Sequence, residues 1–369
     1  MKSYLGRSAV AATVLSLAAG LAACGATVDT AGSGGGAPGR GGFTVGLLLP
    51  DTHTARWGTA DRPLIEQRVK QLCDGCTVRY ANASADVATQ QQQVDSMIAN
   101  GVRALIIDPV DHKAMRSSIV AAYKAHVPVI SYDRLADGPV SAYSSFDSEQ
   151  IGRLQAEALV TAMGPKAPES QIVMMNGDPT DPNTSALQKG ALSVLKGKVK
   201  IGRSYYTAGW IPENAFSNMS AAIAQLGANR IDGVYSANDG LATGVLAALK
   251  AANIKPLPPV TGQDADLAAV QRIVRGEQYV TVYKSFASEA NAAAEMAVAL
   301  GRGQSLSGIA TTTVANDTRN DIPAVLGTPV PVTLGTIRSA VVDNGPYTID
   351  QICTPKLAPD CQRAGLTTA

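Results

Sequence analysis

The chain has 369 residues, with 31 Lys plus Arg against 30 Asp plus Glu and a formal net charge of +1. That balance leaves no basic field for nucleic acid and no polyanionic tail. Hydrophobic residues make up 46% and charged residues 17%, enough apolar material for one or two globular cores, so disorder of the whole chain is excluded; three His and no clustered Cys/His pattern leave little room for a zinc enzyme.

Lys2 and Arg7 precede an apolar stretch from Ala9 to Ala23. It is shorter than the ~20 residues of a membrane-spanning helix and suits the core of a signal peptide, predicted over residues 1–23. It ends in Leu21-Ala22-Ala23-Cys24. Small residues let a peptidase approach the backbone, and a cysteine just after the cut supplies a thiol for diacylglyceryl transfer, so the segment resembles a bacterial lipobox. Residues 24–42, dominated after Cys24 by Gly, Ala, Ser and Thr, read as a flexible tether. The mature protein is expected to be a globular body lipid-anchored through Cys24 to the outer face of the cell membrane. An exported chain favours disulfides. Cys73 with Cys76, and Cys353 with Cys361, could each close a local loop; a four-cysteine zinc site and a redox pair at Cys73 and Cys76 are the other readings.

From Phe43 onward, short β-branched runs alternate with segments of helical period. Strands are predicted over 43–49, 77–81, 104–108, 127–132, 172–176, 199–205, 233–236, 259–263 and 279–283, with helices over 63–72 and 89–99 among those between them. Repeated βα units imply parallel sheets with helices on both faces, and the number of strands suits two doubly wound α/β lobes. In such folds the binding crevice lies outside the carboxyl ends of the strands. Asp51, Asp108, Asp133 and Arg134, Asn176, Asn238 and Asp239, Gln263 and Asp264, and Lys284 all fall there. One carboxylate after a strand is ordinarily a helix cap or turn former. A full set of Asp, Asn, Arg, Gln and Lys offers the paired donors and acceptors that vicinal hydroxyls need. Trp57 and Trp210 are expected in polar loops beside it, where an indole could stack on the apolar face of a pyranose.

At these residues the sequence resembles the periplasmic xylose-binding proteins. The resemblance rests on Thr54-Ala55-Arg56-Trp57, Ser131-Tyr132-Asp133-Arg134, Ser145-Phe146-Asp147, Gly209-Trp210-Ile211-Pro212-Glu213-Asn214-Ala215, Asn238-Asp239, Gly262-Gln263-Asp264-Ala265-Asp266-Leu267 and Val282-Tyr283-Lys284. It runs in order from Phe43 to about Asp343. It implies the type I periplasmic-binding-protein fold, with lobes of 43–146 plus 285–325 and 147–284 plus 326–369 joined by a three-crossover hinge. It also implies sugar contacts at Arg56, Trp57, Asp133, Arg134, Asn183, Trp210, Asn238, Asp264 and Lys284, with no cofactor or metal. Pro182, Ser148 and the pair Cys353 and Cys361 depart from the family pattern. The multiple-sugar-binding branch shares Ala-Arg-Trp and Tyr-Asp-Arg.

The expected function is therefore capture of a monosaccharide, D-xylose first among aldoses, by a monomer that delivers it to a membrane ABC permease. The alternative is a lipoprotein that presents glucose, galactose or arabinose to a membrane receptor. A hydrolase would show a G-x-S-x-G elbow or an H-E-x-x-H helix, and neither occurs; His53, His112 and His126 read as surface or capping residues. A sugar-responsive repressor would carry an N-terminal helix-turn-helix where this chain has an apolar leader.

Overall fold

The computed structural model describes residues 41–343 and 345–367. The predicted leader, Cys24 and almost all of the tether lie outside the described residues. Strand β1 (Thr44–Leu49) shows how the first core forms. Side chains alternate along a strand, so Val45, Leu47 and Leu49 enter one apolar cluster and Leu48 enters another on the opposite face. Both faces are covered, which is why the run T-V-G-L-L-L is almost wholly apolar.

The chain continues through α1 (Arg62–Leu72), β2 (Thr77–Asn82), α2 (Val87–Ala99), β3 (Ala104–Ile107), α3 (Arg116–Lys124), β4 (Val129–Tyr132) and β5 (Ala142–Phe146). It then passes to α4 (Ser148–Met163), β6 (Gln171–Asn176), α5 (Pro182–Leu195), β7 (Lys200–Tyr206), α6 (Pro212–Leu226), β8 (Gly233–Ser236), α7 (Asp239–Ala251), α8 (Leu267–Val274) and β9 (Thr281–Tyr283). After α9 (Phe286–Gly301) come β10 (Thr312–Val314), β11 (Ile322–Gly327) and β12 (Val330–Val332). The first sheet has the order β10-β11-β5-β4-β3-β1-β2, parallel except for β10. The second has the parallel order β7-β6-β8, and β12 pairs antiparallel with β9 beside it. The expected strand at 259–263 is only a bridge from Val260 to Val234; Pro258 and Pro259 next to it lack the N–H a ladder requires.

The chain crosses between the two lobes three times, after β5, after β9 and after β11. Helix α9 returns to the first lobe with an almost entirely buried, Ala-rich surface. Small residues let it lie close against α1 and the sheet. Among the described residues no helix is long and apolar enough to cross a membrane. Cys73 is bonded to Cys76 at the end of α1 and Cys353 to Cys361 in the tail. Cys361 packs with Ile352, Leu357 and Leu366 against Val270 and Ile273 of α8, so the second bridge fixes the tail onto the second lobe.

Candidate binding cleft

Parallel strands deliver their C-terminal loops to one edge of each sheet, and the two edges face one another. Between them lies a cavity of about 430 Å³, its open mouth included, whose lining contains Arg56, Trp57, Asp133, Arg134, Asn183, Trp210, Asn238, Asp264 and Lys284. All nine residues expected from the sequence are thus brought together. Thr54, Ser145, Phe146, Ser148, Ile151, Asp181 and Gln263 complete the wall.

Trp57 does not sit in a loop as its polar neighbours suggested; it opens a helical turn, Trp57–Asp61, that runs directly into α1. Only 3% of it is exposed, and its indole Nε1 donates to Asp51 Oδ2 at 3.3 Å. Trp210 is treated alike. It is 7% exposed and donates from Nε1 to Asp181 Oδ2 at 3.1 Å. A Cβ at Gly177 would lie 2.1 Å from the Trp210 ring, so only glycine lets that indole take its place. Each indole is therefore fixed by a carboxylate at its polar edge, which satisfies the one donor a buried Trp carries.

Arg56 is the most enclosed cation. Its Nε and one terminal nitrogen hold Asp61 at 2.9 and 2.5 Å, the latter nitrogen also pairs with Glu289, and the other terminal nitrogen reaches Asp133 Oδ2 at 3.0 Å. The rings of Trp57 and Phe286 lie 4.6 and 4.2 Å from the guanidinium carbon. Burial opposes its charge, yet Asp61, Glu289 and Asp133 hold its pKa above the ordinary value. Arg134 is ringed in the same way by Asp181, Asp108 and Asp51, at 2.7, 3.5 and 3.6 Å. Lys284 joins Asp264 at 3.0 Å to Asp133 at 3.5 Å; burial works against its charge, but those carboxylates push its pKa up to about 12.

Asp133 is where the two lobes meet. Its backbone is left-handed, with φ 53°. Its carbonyl accepts from Tyr143 and Ser145 hydroxyls at 2.7 and 2.6 Å, contacts that hold this unfavourable conformation. Burial penalises its carboxylate, but Lys284, Arg56 and Arg134 outweigh that penalty and keep its pKa below the ordinary value. Asn238 caps α7, accepting from Leu241 N–H at 2.8 Å. Its position illustrates why a single polar residue at a strand end is ambiguous: the same side chain caps a helix and lines the cavity.

Three carboxylates in this network, Asp181, Glu289 and Asp61, had not been read as functional from the sequence. Glu289 lies in the buried face of α9, and burial pushes its carboxyl up to about 8. Asp61 ends the turn after Trp57 and accepts from the Tyr132 hydroxyl as well as from Arg56. Glu289 shares the Ala-rich run of α9 with Glu295, so its acid there does not stand out, and nothing local distinguishes Asp61.

Three carboxylates, Asp133, Asp181 and Asp264, and three cations, Arg56, Arg134 and Lys284, line the cleft, and each cation is already shared among two or more carboxylates. No cation is left unpaired to offset the charge of an anionic ligand. The lining suits a neutral polyhydroxyl ligand, offering donors, acceptors and two indoles. Two α/β lobes closing on such a cavity define a ligand-capturing binding protein.

The comparisons with known proteins agree. Residues 45–305 match the family model described as periplasmic binding protein domain, and the chain belongs to the periplasmic binding protein family. The D-xylose-binding periplasmic protein of Escherichia coli is 36% identical, over 82% of this chain and 90% of that protein. The multiple sugar-binding periplasmic receptor ChvE of Rhizobium radiobacter is 30% identical, over 84% and 92%. Among solved structures, an ABC transporter solute-binding protein from Clostridium phytofermentans with bound β-D-glucose superposes with a TM-score of 0.76 at 31% identity, covering 84% of this chain and 99% of that one. A carbohydrate transporter solute-binding protein from Chloroflexus aurantiacus in complex with D-glucose gives 0.75 at 30%, covering 84% and 98%. The chain is a binding protein and not an enzyme.

Proposed function

We propose that this protein captures a neutral aldose, D-xylose foremost, between its two lobes outside the cytoplasm and delivers it to an ABC permease. The observation that carries the reading is the convergence of Trp57, Trp210 and seven polar residues from distant parts of the chain on one cavity. The D-xylose-binding relative and the glucose-bound structures support the ligand class. In this reading the lobes are residues 43–146 plus 285–325 and 147–284 plus 326–369, moving about the three crossings. A sugar touching both lobes favours the closed arrangement by the contacts it makes only there. Cys24 carries the lipid that keeps the protein at the outer face of the membrane. The receptor relative favours a second reading, in which the closed form with glucose, galactose or arabinose is read by a membrane receptor.

Calorimetric titration with D-xylose, D-glucose, D-galactose and L-arabinose tests the ligand. D-xylose should bind most tightly and raise the melting temperature by mass action. A folded protein that binds none of the four would overturn the reading.

A further inference from the structure

Asp239 opens α7 directly after Asn238, is fully buried, and stands behind the cleft without lining it. Its Oδ2 accepts from the backbone N–H of Asp266 at 3.0 Å and from the Thr281 hydroxyl at 2.8 Å, and its Oδ1 accepts from Gln278 Nε2 at 2.8 Å. The Thr281 hydroxyl in turn accepts from Ala265 N–H at 3.1 Å. Both N–H groups belong to the loop that presents Asp264 to the cavity. In that loop Asp264 has φ 95° and Ala265 has φ 52°, a left-handed backbone on two successive residues that are not glycine. Such a conformation is unfavourable for a residue with a Cβ and persists only where its surroundings enforce it. Asp239 also donates its own N–H to Gln263 O at 3.1 Å. A Cβ on Gly262 would fall 2.0 Å from Asp239 Oδ1, so the chain can wrap the carboxylate this closely only with glycine there.

We infer that Asp239 is a positioning residue that sets the Asp264 carboxylate for the sugar, an inference that rests on the aldose reading of the cleft. An amide cannot take its place. Gln278 has its oxygen committed to Arg272 Nε at 2.9 Å, so its nitrogen must face Asp239. The Asp266 N–H can only donate, and it meets Oδ2 beside the Thr281 hydroxyl, which accepts from Ala265 and gives its proton to Asp239. Both carboxylate oxygens therefore meet donors only, and an asparagine would set an N–H₂ against one of them.

The test is a double-mutant cycle, with D-xylose, D-glucose, D-galactose and L-arabinose titrated into the full-length protein, Asp239→Asn, Asp264→Asn and the double variant. For the aldose the parent binds best, Asp239→Asn should weaken binding about tenfold in the parent and less than about twofold in the Asp264→Asn background, because it acts through Asp264. A merely structural role lowers the melting temperature alike in both backgrounds and leaves no coupling in binding. Thr281→Val carries the same expectation and decides the matter if Asp239→Asn lacks a cooperative melt. Unchanged affinity in the single variant, or the same loss in both backgrounds, overturns the positioning role alone. A folded parent that binds no aldose overturns the aldose reading and this inference with it.

Discussion

Asn183 of the second lobe reaches across the cleft to Asp133 of the first, donating from Nδ2 to Oδ1 at 2.9 Å and to the backbone carbonyl at 3.1 Å. Nearby, Arg134 meets Asp181 at 2.7 Å and a His112 ring nitrogen meets Thr180 O at 2.8 Å. The lobes are thus joined by direct contacts of the chain's own groups, arranged around the place where a ligand would lie.

Asn183→Ala removes one bridging group from the closed form and none from either lobe's core. Sugar affinity should fall about tenfold, corresponding to ~1.4 kcal/mol for a buried hydrogen bond to a charged group. Small-angle scattering of the unliganded variant should show a larger radius of gyration than the parent. Equal scattering and equal affinity would show that this contact does not bias closure.

Trp210→Ala removes an indole that Gly177 and Asp181 hold at the cavity wall. The expected loss is ~2 kcal/mol or more, roughly thirtyfold in affinity. Lys250→Ala is the control: that side chain is half-exposed on α7, pairs with Glu277, and lies outside the cavity. Calorimetry on the two variants should separate them by at least about tenfold.

Glu289 predicts a pH dependence of stability. Its folded pKa, pushed up to about 8 by burial, lies above the ordinary value of 4.5, with Arg56 opposing the shift. Between those values the folded state holds a proton that the unfolded state has released. This group's contribution to stability is therefore complete below about pH 4.5 and is lost as pH rises through about 8. Glu289→Gln keeps the neutral form at every pH. Chemical denaturation from pH 5 to 9 should give a flatter profile for the variant than for the parent over that window, and parallel profiles would refute the assignment.

Cys24→Ser tests the proposed lipid anchor by removing its thiol. The variant should leave the membrane fraction and accumulate as precursor or soluble protein. Metabolic labelling with a fatty acid should mark the parent and not the variant; equal labelling would remove Cys24 as the anchor.

How much of this was legible in the sequence depends on the kind of residue. β1, β3 and β6 could be read because strands buried on both faces need near-continuous apolar runs, and A-L-I-I and I-V-M-M provide them. The polar residues after β4, β8 and β9 could be read as a site because βα topology puts strand ends at the binding edge, so Asp133, Arg134, Asn238 and Lys284 needed no coordinates to be grouped. β5, with the sequence A-Y-S-S-F, was not recognised, since Ser144 and Ser145 are polar yet buried through bonds to Glu289 O and Asp133 O. β10, β11 and β12 were missed as well; β11 and β12 are placed by pairing with β5 and β9, and local pattern carries no record of such partners.

The sequence by itself determined the α/β class, the alternation that builds two layered sheets, and the polar chemistry at their edges, because periodicity and strand-end composition are local properties of the chain. Only the tertiary structure decided which charges neutralise which. Arg56 gathers Asp61, Asp133 and Glu289 from segments as much as 233 residues apart, and Asp239 holds the Asp264 loop from behind. A buried carboxylate takes its ionisation and its role from the donors around it, and those donors are assembled only when distant parts of the chain pack together.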